Sequence, residues 1–131
     1  MPIGKISLFL VAIFMVFCLS SAVAETPSGV IEDGVRVVKV KAFKYGYEPD
    51  PIIVKRGEKV RLEVTSTDAT HGFAVKEFRI NATLPAKKTV PINFSADKAG
   101  TFTIRCIVFC GSGHFGMQGK LKVIDSSMHG Y

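Results

Sequence analysis

Four side chains with an affinity for soft metals fall within twelve residues near the C-terminal end: Cys106, Cys110, His114 and Met117 in the run Cys106-Ile-Val-Phe-Cys-Gly-Ser-Gly-His-Phe-Gly-Met117. Thiolate, imidazole and thioether together favour copper, because sulfur donors match the cuprous ion and imidazole serves both oxidation states. Zinc competes for Cys and His, but structural zinc sites rarely use a thioether. One further histidine, His71, stands upstream, just before the apolar run Gly72-Phe73-Ala74-Val75. A mononuclear blue site needs two His, one Cys and a weak axial Met, which His71, Cys110, His114 and Met117 already supply. Cys106 is then surplus, and a second thiolate able to bridge two ions argues for two metals.

Around this loop the chain breaks into short runs rich in Val, Ile, Phe and Thr, punctuated by Gly, Pro, Asn and Asp, with no sustained helical period. Strands are expected near residues 35–43, 52–54, 59–66, 72–75, 89–95, 100–106 and 119–124. Alternation is clearest in Val60, Leu62 and Val64 against Arg61, Glu63 and Thr65, which puts one face on a core. Seven or so such strands predict an all-β, Greek-key β-sandwich. The metal-ligating loop lies between the last two strands. Lys55-Arg56-Gly57-Glu58 and Asp97-Lys98-Ala99-Gly100 read as turns.

The first 24 residues stand apart. Lys5 precedes an apolar run from Ile6 to Leu19, followed by Ser20-Ser21-Ala22-Val23-Ala24. This reads as a signal peptide ending at Ala24, or as an uncleaved membrane anchor. Residues 25–34 read as a polar leader, 35–125 as one domain and 126–131 as a tail. The chain is thus expected to be exported, and periplasmic or extracytoplasmic, either free or anchored to the inner membrane by residues 6–24. Cys106 and Cys110 are then the only cysteines of the mature part, in a compartment where free thiols tend to be oxidised unless a metal claims them.

Of the 131 residues, 47% are hydrophobic and 21% charged, the balance of a folded domain. Beyond residue 24 there are 16 Lys and Arg against 11 Asp and Glu, a net charge of +5. These cations are scattered along strands and do not cluster with stacking aromatics, so no nucleic-acid surface is expected.

The His71 and Cys106, Cys110, His114, Met117 spacing resembles the CuA domain of haem-copper oxidase subunit II, a cupredoxin-like domain. The similarity runs over roughly residues 37–123, including Phe43-Lys-Tyr-Gly-Tyr-Glu-Pro-Asp-Pro51 and His71-Gly-Phe73. The resemblance implies that Cys106 and Cys110 bridge two copper ions. By the same resemblance His71 and Met117 complete one ion, and His114 with the backbone carbonyl of Val108 completes the other. It also implies single-electron transfer in a solitary domain that is not catalytic alone, as at the electron entry of an oxidase. The implied partners are a cytochrome or cupredoxin donor, an oxidase acceptor and a copper chaperone for loading. Mononuclear electron transfer and copper storage or delivery are the competing readings. Val108 departs from the acidic or amide residue common at its position, and a basic domain departs from the acidic surface that oxidase members commonly present to cytochrome c.

Overall fold

The computed structural model describes residues 25–125. The apolar segment 1–24, the tail 126–131, Cys18, Met128 and His129 lie outside the described residues. Ten strands make two five-stranded sheets: β1 (Val30–Glu32), β2 (Val35–Phe43), β3 (Gly46–Glu48), β4 (Ile52–Lys55), β5 (Lys59–Ser66), β6 (His71–Val75), β7 (Ile80–Leu84), β8 (Thr89–Ser95), β9 (Gly100–Arg105) and β10 (Gln118–Ile124). One sheet runs β1-β2-β5-β8 with β3 hydrogen-bonded to β2, and the other runs β4-β10-β9-β6-β7. The all-β sandwich expected from the sequence is therefore present. Its sheets are mixed, with β2 parallel to β5 and β4 parallel to β10.

Period-two patterning builds the core. Val60, Leu62 and Val64 of β5 are buried, as are Val38, Val40 and Ala42 of β2, while Lys39 and Lys41 point to water. Ile52, Val54, Phe73, Val75, Ile104 and Leu121 face them from the other sheet. Burying a side chain of this size stabilises the fold by about 1.5–3 kcal/mol before chain entropy is subtracted.

Three strands lack a sequence signal. β1 falls in the stretch read as leader and is exposed throughout, so it has no buried face to pattern. β3 is only three residues long, and β7 buries only its two ends, Ile80 and Leu84. Among the described residues no helix is long and apolar enough to cross a membrane. The only helical turns found there are two short 3-10 turns, Lys76–Phe78 and His114–Gly116.

A polar clasp closes the β1 end. Arg36 is buried, and its guanidinium donates to both carboxylate oxygens of Glu58 and to the Ser28 carbonyl. Ser28 in turn pairs with the backbone of Ile53 through its N–H and its hydroxyl. This joins β2 of one sheet to β4 of the other.

Candidate metal centre

The site is set by how β9 pairs on both sides. Gln118 opposite Arg105 starts the β10 pairing, so residues 106–117 form the connection between two adjacent antiparallel strands. Ala74 of β6 lies opposite Arg105 on the other side, and the antiparallel run carries His71 forward to the level of that connection. Such closeness requires a glycine at 72: a Cβ there would lie 2.6 Å from the Ile107 nitrogen and 2.9 Å from that of Val108. Gly72 also spends its backbone groups on the site. Its N–H donates to Cys106 Sγ at 3.3 Å, and its carbonyl accepts from the buried Tyr47 hydroxyl at 2.6 Å. Burial, followed by the nearby Cys106 and Cys110, pushes the Tyr47 hydroxyl well above the ordinary tyrosine range.

All six residues singled out in the sequence come together. Ligand atoms of His71, Cys106 and Cys110 lie within 4.8 Å of one another, and all three residues are buried. Cys106 Sγ and Cys110 Sγ are 3.6 Å apart as free thiols. Cys110 Sγ is 3.6 Å from Met117 Sδ and 3.7 Å from His114 Nδ1. The Val108 carbonyl lies 3.1 Å from Cys106 Sγ. The loop is held by its own backbone bonds, from His114 N–H to Gly111 O, from Met117 N–H to His114 O, and from Cys106 N–H to Met117 O.

The donor set fits a soft metal. A thiolate–metal bond is about 2.3 Å, so two sulfurs sharing one ion lie at most about 4.6 Å apart, a limit that the sulfur pair meets. His71 Nδ1 is buried with no hydrogen-bond partner, which is costly unless a ligand satisfies it. Its other nitrogen, Nε2, is 2.6 Å from Asp68 Oδ1, the outer contact that fixes a ligating imidazole's tautomer and orientation. Burial works to raise the Asp68 carboxyl, yet hydrogen bonds from Lys44 N–H, His71 and Ala69 N–H outweigh it and leave the carboxyl below its ordinary value. Burial, then hydrogen bonding and charge from Cys106, push the Cys110 thiol up to about 11. A metal entering at neutral pH therefore displaces a proton.

The outer contacts carry no signal of their own in the sequence. Asp68 stands three residues before His71, a spacing that gains meaning only once His71 is placed in the site. Tyr45 lies over the loop: a Cβ on Gly111 would come 2.7 Å from its hydroxyl, and one on Gly113 would come 2.4 Å from its ring. Hydrogen bonds from the Ser112 side chain and the Gly113 backbone lower the Tyr45 phenol from its ordinary value. On the outside, Phe109 and Phe115 are 70% and 85% exposed, with ring centroids 5.5 and 5.1 Å from that of His114. An apolar rim thus surrounds one potential ligand.

The cupredoxin-like domain family matches residues 8–123. Cytochrome c oxidase subunit 2 of Thermus thermophilus is 32% identical over 102 residues, covering 76% of this chain and 76% of that protein. Nitrous-oxide reductase of Ralstonia nicotianae is 33% identical over 101 residues, covering 73% of this chain but only 16% of the reductase. The periplasmic domain of subunit II of cytochrome oxidase from Bradyrhizobium japonicum shares the fold with a TM-score of 0.64 at 19% identity, over 70% of this chain and 86% of that one. The chain belongs to the cupredoxin-like domain family, among the relatives of cytochrome c oxidase subunit 2.

Proposed function

We propose that this chain is an extracytoplasmic electron-transfer domain that holds a dinuclear copper centre of the CuA type. The observation that carries the reading is the second buried cysteine: Cys106 Sγ lies 3.6 Å from Cys110 Sγ, beside the unpartnered Nδ1 of His71. A mononuclear site has no use for Cys106. In this reading Cys106 and Cys110 would be shared by the two ions, His71 and Met117 would hold one of them, and His114 with the Val108 carbonyl would hold the other. The copper pair supplies a one-electron store whose charge change is shared between two metals.

The chain's own part is to keep that geometry fixed and dry. His71 is fully buried and Met117 nearly so, and Asp68 fixes the His71 ring. A saturated donor set leaves no open position for a substrate, which favours electron transfer over catalysis. Residues 35–125 form the copper domain in this reading, residues 1–24 direct or anchor it outside the cytoplasm, and a copper chaperone loads it. Electrons pass through a cytochrome or cupredoxin donor and an oxidase acceptor, with Phe109 and Phe115 beside His114 as the apolar contact. Lys98, Arg105 and Lys120 lie in a stretch from 98 to 124 that holds no Asp or Glu, whereas Lys122 in the same stretch is paired with Glu25. That favours an acidic donor, which should reduce the copper domain more slowly as salt rises.

Copper titration of the reduced protein tests the reading. Two copper ions per chain are expected for the wild type and one for Cys106→Ser, which leaves a mononuclear donor set. One ion in both proteins overturns the dinuclear claim. Two ions that pass rapidly to a chelator, without a reversible redox couple, mark a copper-delivery protein instead.

A further inference from the structure

The two halves of the centre have no covalent link near the site. His71 opens β6, whereas the cysteine loop joins β9 to β10. One short turn touches both halves. The Lys44 N–H donates to Asp68 Oδ2 at 2.8 Å, and Asp68 Oδ1 lies 2.6 Å from His71 Nε2. The next residue, Tyr45, spreads its ring across Gly111 and Gly113, on either side of Ser112 and between Cys110 and His114.

We propose that the β2–β3 turn, Lys44 and Tyr45, is a brace that holds the His71 half and the cysteine-loop half of the metal centre in register. This makes Tyr45 a positioning residue that acts on the ligands through the loop backbone. The inference rests on the copper-site reading only for its metal-binding consequences, since the brace is present among the residues themselves.

The ring does more of the holding than the hydroxyl. The Tyr45 hydroxyl is 3.5 Å from Ser112 Oγ, at the outer limit for a hydrogen bond, and its other polar partner is the Gly113 backbone. The ring, by contrast, fills the space that side chains at 111 and 113 would otherwise take. Gly113 has φ −92°, which any residue tolerates, so the need for glycine there comes from Tyr45 and not from the backbone. Gly111, with φ +133°, has a backbone reason as well. The turn reaches Asp68 through a backbone N–H, so side-chain changes at Lys44 leave that arm intact. Tyr45 and Asp68 are each more than a third exposed and stand outside the hydrophobic core, so truncating either leaves no cavity in it.

Amide hydrogen exchange of the metal-free, reduced protein is the first readout. Tyr45→Ala should speed exchange at His114 and Gly116, whose N–H groups bond the Gly111 and Gly113 carbonyls, and Tyr45→Phe should restore protection. Copper(I) release to bicinchoninate is the second. Outer contacts of metal ligands are worth about 10–100-fold in affinity, so Asp68→Ala should speed release by roughly tenfold or more, and Tyr45→Ala, which acts through the loop backbone, should speed it by a smaller factor. Because both act through one turn, the double variant should fall clearly short of the product of the two effects. Gly113→Ala places a methyl against the ring and should disturb the copper absorption spectrum, but not when Tyr45→Ala has removed the ring. Unchanged exchange in Tyr45→Ala, or multiplicative effects in the double variant, overturns the brace. Should the wild type fail to bind copper, the electron-transfer reading falls while the exchange experiment still decides the brace.

Discussion

Replacing Tyr47 by Phe removes one oxygen from the boundary between core and site. The ring stays, with its edge-on contact to Phe73 at 5.4 Å between centroids and 83° between planes. What is lost is the 2.6 Å hydrogen bond to the Gly72 carbonyl, in a buried setting. A buried acceptor left without its partner costs about 1–3 kcal/mol. Taking about 2 kcal/mol, the melting temperature of a domain this size should drop by roughly 10 °C. Urea unfolding of the metal-free, reduced protein at neutral pH checks this: the midpoint should fall with the slope unchanged. Because Gly72 also donates to Cys106 Sγ, the copper spectrum of the variant should shift without losing metal. A stability loss below about 0.5 kcal/mol, smaller than a typical net hydrogen bond, would refute the claim that this bond ties the core to the site.

Glu58→Gln should weaken the β1-end clasp by about 1 kcal/mol at neutral pH, a value reduced because the Glu58 side chain is 18% exposed. Burial works to raise the Glu58 carboxyl, but Arg36 and the Lys55 N–H outweigh it and hold it below its ordinary value. A lowered folded value means that the contribution is complete above the unfolded value and is lost as pH falls through the folded one. Acid unfolding of Glu58→Gln should therefore show a shallower loss over that range than the wild type. Mild oxidation of the metal-free protein should join Cys106 to Cys110, whose sulfurs lie 3.6 Å apart. Copper uptake, followed by absorption, should then vanish and return with dithiothreitol; uptake that survives oxidation would contradict thiolate ligation.

The candidate ligands stood out more clearly than some of the strands, for a physical reason. Cys106, Cys110, His114 and Met117 sit on one connection whose ends are pinned by the Arg105–Gln118 pairing, so their spacing in sequence becomes proximity in space. His71 stood out because few histidines compete with it. Strands β2, β5 and β8 matched their expected bounds, since one buried face imposes period-two patterning on them. β1 has no buried face, and β3 and β7 offer too little alternation to be read. Asp68 and Tyr45 were opaque as outer contacts because each acts through tertiary placement. An aspartate after a strand and an aromatic in a turn are ordinary until β6 and the cysteine loop are brought beside them.

Electron paramagnetic resonance of the copper-loaded, oxidised wild type tests the central claim most directly, because hyperfine structure counts the nuclei that share the unpaired electron. The two thiolates of Cys106 and Cys110 predict hyperfine coupling to two equivalent copper nuclei in a purple protein. Coupling to a single copper nucleus, in a blue protein, would contradict it.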